Sequence, residues 1–151
     1  MNALEAIGNP DSDGTPSPRA RLLLAEDDSE LRDLLACVLR ASGHEVVEAQ
    51  NGEELWSLLH TDILGGGGHF ALVVSDVRMP GLTAFDVLSK LQGSLSNTPV
   101  IVITAFGDQT THMRALRLGA CRVFDKPFEC DDLCAAVQET LSKRRPARRA
   151  C

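Results

Sequence analysis

Glu26, Asp27, Asp76, Thr104 and Lys126 are the residues whose types and positions could do chemistry together. Each stands at the end of a short run with strand character: Arg21 to Ala25, Phe70 to Val74, Val100 to Ile103, and Arg122 to Asp125. In open α/β sheets, ligands bind beyond the carboxyl ends of the strands, so residues at those ends are better placed for chemistry than for packing. Gathered at one edge, these five offer three carboxylates, a hydroxyl and an ammonium. Crowded carboxylates raise one another's proton affinity unless a cation sits among them. Mg²⁺ suits that role, because it keeps several waters while held by one or two carboxylates and by phosphate oxygens. With Mg²⁺ and Lys126 offsetting phosphoryl charge, Asp76 can attack phosphorus and become an aspartyl phosphate, and Thr104 can donate to a phosphoryl oxygen. Taken singly, each residue has an ordinary role: Asp76 a turn cap, Lys126 a surface lysine, Thr104 a strand-end cap, Glu26 a helix cap. Their joint occurrence outweighs those readings.

The elements that must position these groups follow from periodicity. Phe70 to Val74 and Val100 to Thr104 are apolar throughout, as strands covered on both faces are. Met79-Pro80-Gly81, just past Asp76, stops the strand that ends there. Arg21–Ala25 and Glu45–Ala49 read as the first two strands and Arg122–Asp125 as the fifth. Between them run helical patterns: Leu31, Leu34, Leu35, Val38 and Leu39, capped by Asp28 or Ser29 and ended by Gly43; then Leu55, Leu58 and Leu59, with Trp56 off that stripe. Asn51-Gly52 reads as a turn before the second helix. Thr83 caps a third helix carrying Phe85, Val87, Leu88 and Leu91. A fourth spans about Thr110 to Leu118 and stops at Gly119. Leu133, Val137 and Leu141 mark a fifth, with Glu129, Asp131 and Asp132 at its dipole-favoured start. Gly65 to Gly68 reads as a flexible connector, since a phosphate-cradling glycine loop leads into a helix and this run leads into a strand. Five strand-then-helix units imply an α/β fold with a parallel sheet and helices on both faces.

The chain has 151 residues and a net charge of −6. That length fits one domain with a single core. Residues 1–19, rich in Asn, Pro, Asp, Ser, Gly and Thr, read as a disordered leader, 20–142 as the folded domain, and 143–151 as a basic tail or the start of a linker. Without the five basic residues of the last ten, 10 basic residues face 21 acidic ones, a net of −11. That acidic body argues against direct nucleic-acid binding by the domain. No apolar run approaches membrane-spanning length and no export signal opens the chain, so a cytoplasmic location is expected. Five cysteines, Cys37, Cys121, Cys130, Cys134 and Cys151, lack a disulfide-framework spacing and read as reduced thiols.

The ordered set Glu26-Asp27, Asp76 followed by Met79-Pro80-Gly81, Thr104-Ala105, and Lys126-Pro127-Phe128 resembles the receiver domain of two-component response regulators, over about residues 20–142. The resemblance implies a flavodoxin-like, doubly wound five-stranded sheet of order 2-1-3-4-5. It also implies that Asp76 takes a phosphoryl group from a sensor histidine kinase or a phosphotransfer protein. Glu26, Asp27, Asp76 and the backbone carbonyl of Arg78 would hold Mg²⁺, and Lys126 would precede a cis proline. Output would pass through the face of the fourth helix, fifth strand and fifth helix to an effector domain or partner protein, with homodimerisation on phosphorylation left open.

Two positions depart from that pattern. The family's aromatic switch residue, three before the lysine, is here Val123; Phe124 is adjacent, but alternation along a strand points it to the opposite side. Repacking of the output face by Thr104 and Val123 is expected to give a smaller or different signal. Arg78 and Phe106, two residues after Asp76 and Thr104, border the path of attacking water in relatives, and predict a long-lived phosphorylated state. Two alternatives stand beside the phosphoacceptor: a pseudo-receiver used only for docking, and a Mg²⁺-dependent phosphohydrolase, whose haloacid-dehalogenase type carries a second Asp where Arg78 stands.

Overall fold

The computed structural model describes residues 20–66, 69–94, 96–105 and 107–149, with side chains described as far as Lys143. Within them, strand and helix alternate: β1 (Arg21–Ala25), α1 (Ser29–Ala41), β2 (Glu45–Ala49), α2 (Gly52–Leu64), β3 (Leu72–Asp76), α3 (Ala84–Gln92), β4 (Val100–Thr104), α4 (Gln109–Arg117), β5 (Arg122–Asp125) and α5 (Cys130–Arg149). All strand pairs are parallel, in the order β2-β1-β3-β4-β5. That is the expected doubly wound arrangement.

Strand alternation sorts the core into two layers. Leu23, Val73, Val100 and Val102 meet Leu55 and Leu59 of α2, Val87, Leu88 and Leu91 of α3, and Ala115 of α4. On the other face, Leu22, Leu24, Val74, Ile101 and Ile103 meet Leu35 and Leu39 of α1 and Leu133 and Val137 of α5. Truncating any one of these large aliphatic side chains to Ala leaves a cavity worth about 2–5 kcal/mol. Every residue of β3 and β4 is buried, which accounts for the apolar runs Leu72 to Val74 and Val100 to Ile103.

The chain steps outward from β1 to β2 and then returns across β1 to β3. The reversal opens a crevice between the carboxyl ends of β1 and β3, where open α/β sheets bind ligands.

Capping sets the helix starts. Asp28 accepts from the backbone N–H groups of Glu30 and Leu31 at 3.0 and 3.3 Å. Thr83 and Asp86 form a reciprocal capping box, with Thr83 N donating to Asp86 Oδ2 at 2.9 Å and Asp86 N to Thr83 Oγ1 at 3.2 Å. Asn51-Gly52 is not a free turn: Asn51 caps α2 by accepting from Glu54 N at 2.8 Å, and Gly52 is the first helical residue. A Cβ on Gly52 would collide with the Leu82 carbonyl, so the helix can start there only without a side chain.

α5 continues to Arg149, past the boundary expected at 142. The leader, Gly67, Gly68, Phe106 and Cys151 lie outside the described residues. Cys37, Cys121, Cys130 and Cys134 are free thiols. Among the described residues, no helix is long and apolar enough to cross a membrane.

Candidate functional site

Asp76 is the last residue of β3. Its position is fixed against β4, by its register with Ile103 and by Val77 N donating to Ile103 O at 2.9 Å. Glu26 follows β1 and extends the ladder by one residue, its N–H donating to Ala49 O at 3.1 Å. Its carbonyl accepts from Arg32 Nη1 at 2.8 Å, and Arg32 Nε reaches Glu48 Oε1 at 3.2 Å. Arg32 thus clamps the turn after β1 onto β2. Sequence periodicity does not single it out, because its acidic partner lies sixteen positions away.

Lys126 enters from the far side. Its N–H donates to Thr104 O at 2.8 Å, which sets the end of β5 beside β4, and the Lys126–Pro127 bond is cis. From there Nζ lies 3.1 Å from Asp76 Oδ2 and 3.2 Å from Glu26 Oε1. Glu26 Oε2 accepts from Asp28 N at 3.1 Å. Thr104 is fully buried one residue beyond Ile103, at the same edge as Asp76.

The electrostatics are those of too many carboxylates for one cation. Glu26 is 1% exposed. Burial, and then the neighbouring Asp76, push its pKa up to about 7, against the pull of the Asp28 N–H and Lys126. Burial acts to lower the Lys126 pKa, but Asp76 and Glu26 together outweigh it and hold the ammonium above its ordinary value. Asp27 sits exposed at the rim, and one oxygen from each of Glu26, Asp27 and Asp76 falls within 4.8 Å of the others. This all-oxygen, net-negative donor set fits a hard divalent cation.

Of the residues expected from sequence, Glu26 and Asp76 both touch Lys126, Asp27 brings an oxygen within 4.8 Å of theirs, and Thr104 stands at the same strand edge. Arg78, two residues past Asp76, is exposed and lines a cavity of about 510 Å³ with Thr83, Phe85 and Arg114. Val123 is half-buried against the α2–α4 layer, whereas Phe124 packs into the α1–α5 layer, as strand alternation requires.

The family model described as the response regulator receiver domain matches residues 22–138. Transcriptional regulatory protein FixJ of Bradyrhizobium diazoefficiens is 31% identical over 129 residues, which are 85% of this chain and 60% of the relative. The CpxR homolog of Haemophilus influenzae is 34% identical over 124 residues, 82% of this chain and 51% of the relative. The chain therefore spans 60% or less of the length of these two relatives. Among solved structures, the non-phosphorylated HemR receiver domain of Leptospira biflexa superposes with a TM-score of 0.73 at 27% identity, covering 82% of this chain and 95% of that one. A Francisella response regulator receiver domain gives 0.76 at 25% identity, covering 83% and 99%. A match over most of the chain, together with the same doubly wound sheet, establishes that the chain belongs to the response regulator receiver domain family of two-component systems.

Proposed function

We propose that Asp76 accepts a phosphoryl group from a sensor histidine kinase or a phosphotransfer protein, in a Mg²⁺-dependent reaction in the cytoplasm. The observation that carries this reading is Lys126 Nζ placed between Asp76 Oδ2 and Glu26 Oε1 in a buried, over-acidic pocket. An Asp that merely capped a turn would have no reason to share a lysine with a second buried carboxylate.

In the reaction, a carboxylate oxygen of Asp76 supplies the electron pair that bonds phosphorus. The donor imidazole leaves with the electrons of the P–N bond. Lys126 already touches the accepting carboxylate and so offsets the charge the phosphoryl group brings in. Thr104 donates its hydroxyl to a phosphoryl oxygen from the neighbouring strand end. Glu26, Asp27, Asp76 and the Arg78 backbone carbonyl would hold Mg²⁺, which supplies charge neutralisation and orientation of the phosphoryl oxygens. The relatives named above are transcriptional regulators longer than this chain, which supports output through α4, β5 and α5 to an effector domain or partner protein.

Incubation with acetyl phosphate and Mg²⁺, read by intact mass, tests the proposal. A single stable adduct is expected. Turnover of acetyl phosphate without an adduct would favour a phosphohydrolase, and neither adduct nor turnover a docking module.

A further inference from the structure

A hydrogen bond outside the carboxylate pocket ties the sheet to α4. Asp125 Oδ1, at the end of β5, is 2.6 Å from Nε2 of His112 in α4. Asp125 is also the residue in register with Thr104, and the next residue, Lys126, donates its N–H to Thr104 O at 2.8 Å. Along the backbone, Asp125 therefore sits beside both the hydroxyl and the ammonium of the pocket. Gly107, three residues after Thr104, lies directly against the same carboxylate: a Cβ there would overlap Asp125 Oδ1 and Cγ. Only glycine permits that approach. β5 meanwhile offers Val123, a small half-buried side chain, where a large one would be needed to carry a signal by filling space.

We propose that the His112–Asp125 bridge connects the state of the Asp76 pocket to α4, and that phosphorylation opens it. The inference rests on the phosphoacceptor reading. A phosphoryl group on Asp76 attracts the Thr104 hydroxyl as a donor. Movement of Thr104 moves the chain that follows it, including Gly107. Gly107 leaves no room for even a Cβ beside the Asp125 carboxylate, so a shift of that backbone re-aims the carboxylate, and a hydrogen bond weakens steeply once its geometry is lost. Side-chain exposures of 31% for His112 and 50% for Asp125 make the bridge a weak prop. A weak contact is easily made and broken, which suits a connector between two states. His112 and Asp125 act here as positioning residues, since neither touches the reacting atoms.

The test follows the ring nitrogens of His112 by ¹⁵N NMR at fixed pH, with and without beryllofluoride and Mg²⁺ as a phosphoryl mimic. In parallel, the acetyl phosphate adduct is followed by mass. The His112 nitrogen shifts are expected to move toward those of the unphosphorylated Asp125→Asn variant. His112→Ala, which removes an exposed contact far from the fold's core, is expected to speed adduct formation about two- to fivefold, because the bridge no longer opposes the phosphorylated state. An adduct that forms while the His112 shifts stay unchanged overturns the bridge and leaves the phosphoacceptor reading intact. Absence of any adduct overturns both.

Discussion

The two ends of this sheet each bury carboxylates, and they treat them in opposite ways. At the amino end, Asp62 in the last turns of α2 is 7% exposed and amply supplied with donors: His69 N at 3.2 Å, Phe70 N at 3.4 Å, and the His69 ring Nδ1 at 2.6 Å. It fastens the start of the β3 segment across the glycine-rich connection. At the carboxyl end, Glu26 and Asp76 share one ammonium, with Asp27 close by. A buried charge held by local N–H groups is structural, because its partners come with the fold. One left short of counter-charge is available to a cation and a phosphate.

Four experiments break or sharpen that contrast. The largest effect is expected from Asp76→Asn, which removes the nucleophile: the acetyl phosphate adduct should vanish from the mass spectrum, while relief of carboxylate crowding leaves thermal stability unchanged or raised. Lys126→Ala should also abolish efficient adduct formation, and it strands two buried carboxylates. Allowing for the lysine's partial exposure, urea melts should show a loss of about 1–3 kcal/mol.

Asp62→Ala reverses the pattern. It leaves two backbone donors and an imidazole without their acceptor, a cost of about 1–3 kcal/mol in the same melts. Phosphoryl uptake should stay within about twofold of the parent. A comparable loss of uptake in Asp62→Ala would show that the two ends of the sheet are not independent.

The smallest effect is pH-linked. Folded Glu26 holds its proton up to about pH 7, against an ordinary value of 4.5. Between those values the folded chain binds more protons than the unfolded one. Its contribution to stability is thus fully present below about 4.5 and is lost as pH rises through 7. Mg²⁺ should recover stability above pH 7 and little well below it, where protons compete for the carboxylate. Glu26→Gln should flatten this dependence. His44 acts with the opposite sign: burial lowers its pKa, so its contribution is present above 6.5 and lost as pH falls below that value. The two can be separated by melting Glu26→Gln and the parent side by side across both windows.

Only the carboxyl-end half of this contrast is legible in the sequence. Apolar runs marked β3 and β4, and the residues ending each strand named the carboxyl-end cluster. Thr83, and the pair Asp28 and Ser29, are legible as caps because capping is a local hydrogen bond between a side chain and N–H groups two or three residues on; the structure selects Asp28 of that pair. Asn51-Gly52 reads as a turn in the sequence, and its role as an N-cap shows only in the bond from Glu54 N to Asn51 and the approach of Leu82 to Gly52. Asp62 gave no signal, because a buried acceptor and a solvated helix acid look alike until the following loop folds back. The clamps formed by Arg32 with Glu48 and by His112 with Asp125 were equally silent, because each joins residues that only the crossovers bring together.

The order of strands and helices and the chemical identity of the strand-end residues belong to the sequence itself, because periodicity, capping and residue type are local properties. Which oxygen Lys126 touches, how far burial raises the proton affinity of Glu26, and which distant side chains meet were decided by the tertiary structure. Distance and desolvation come into being only when separate strands are laid side by side.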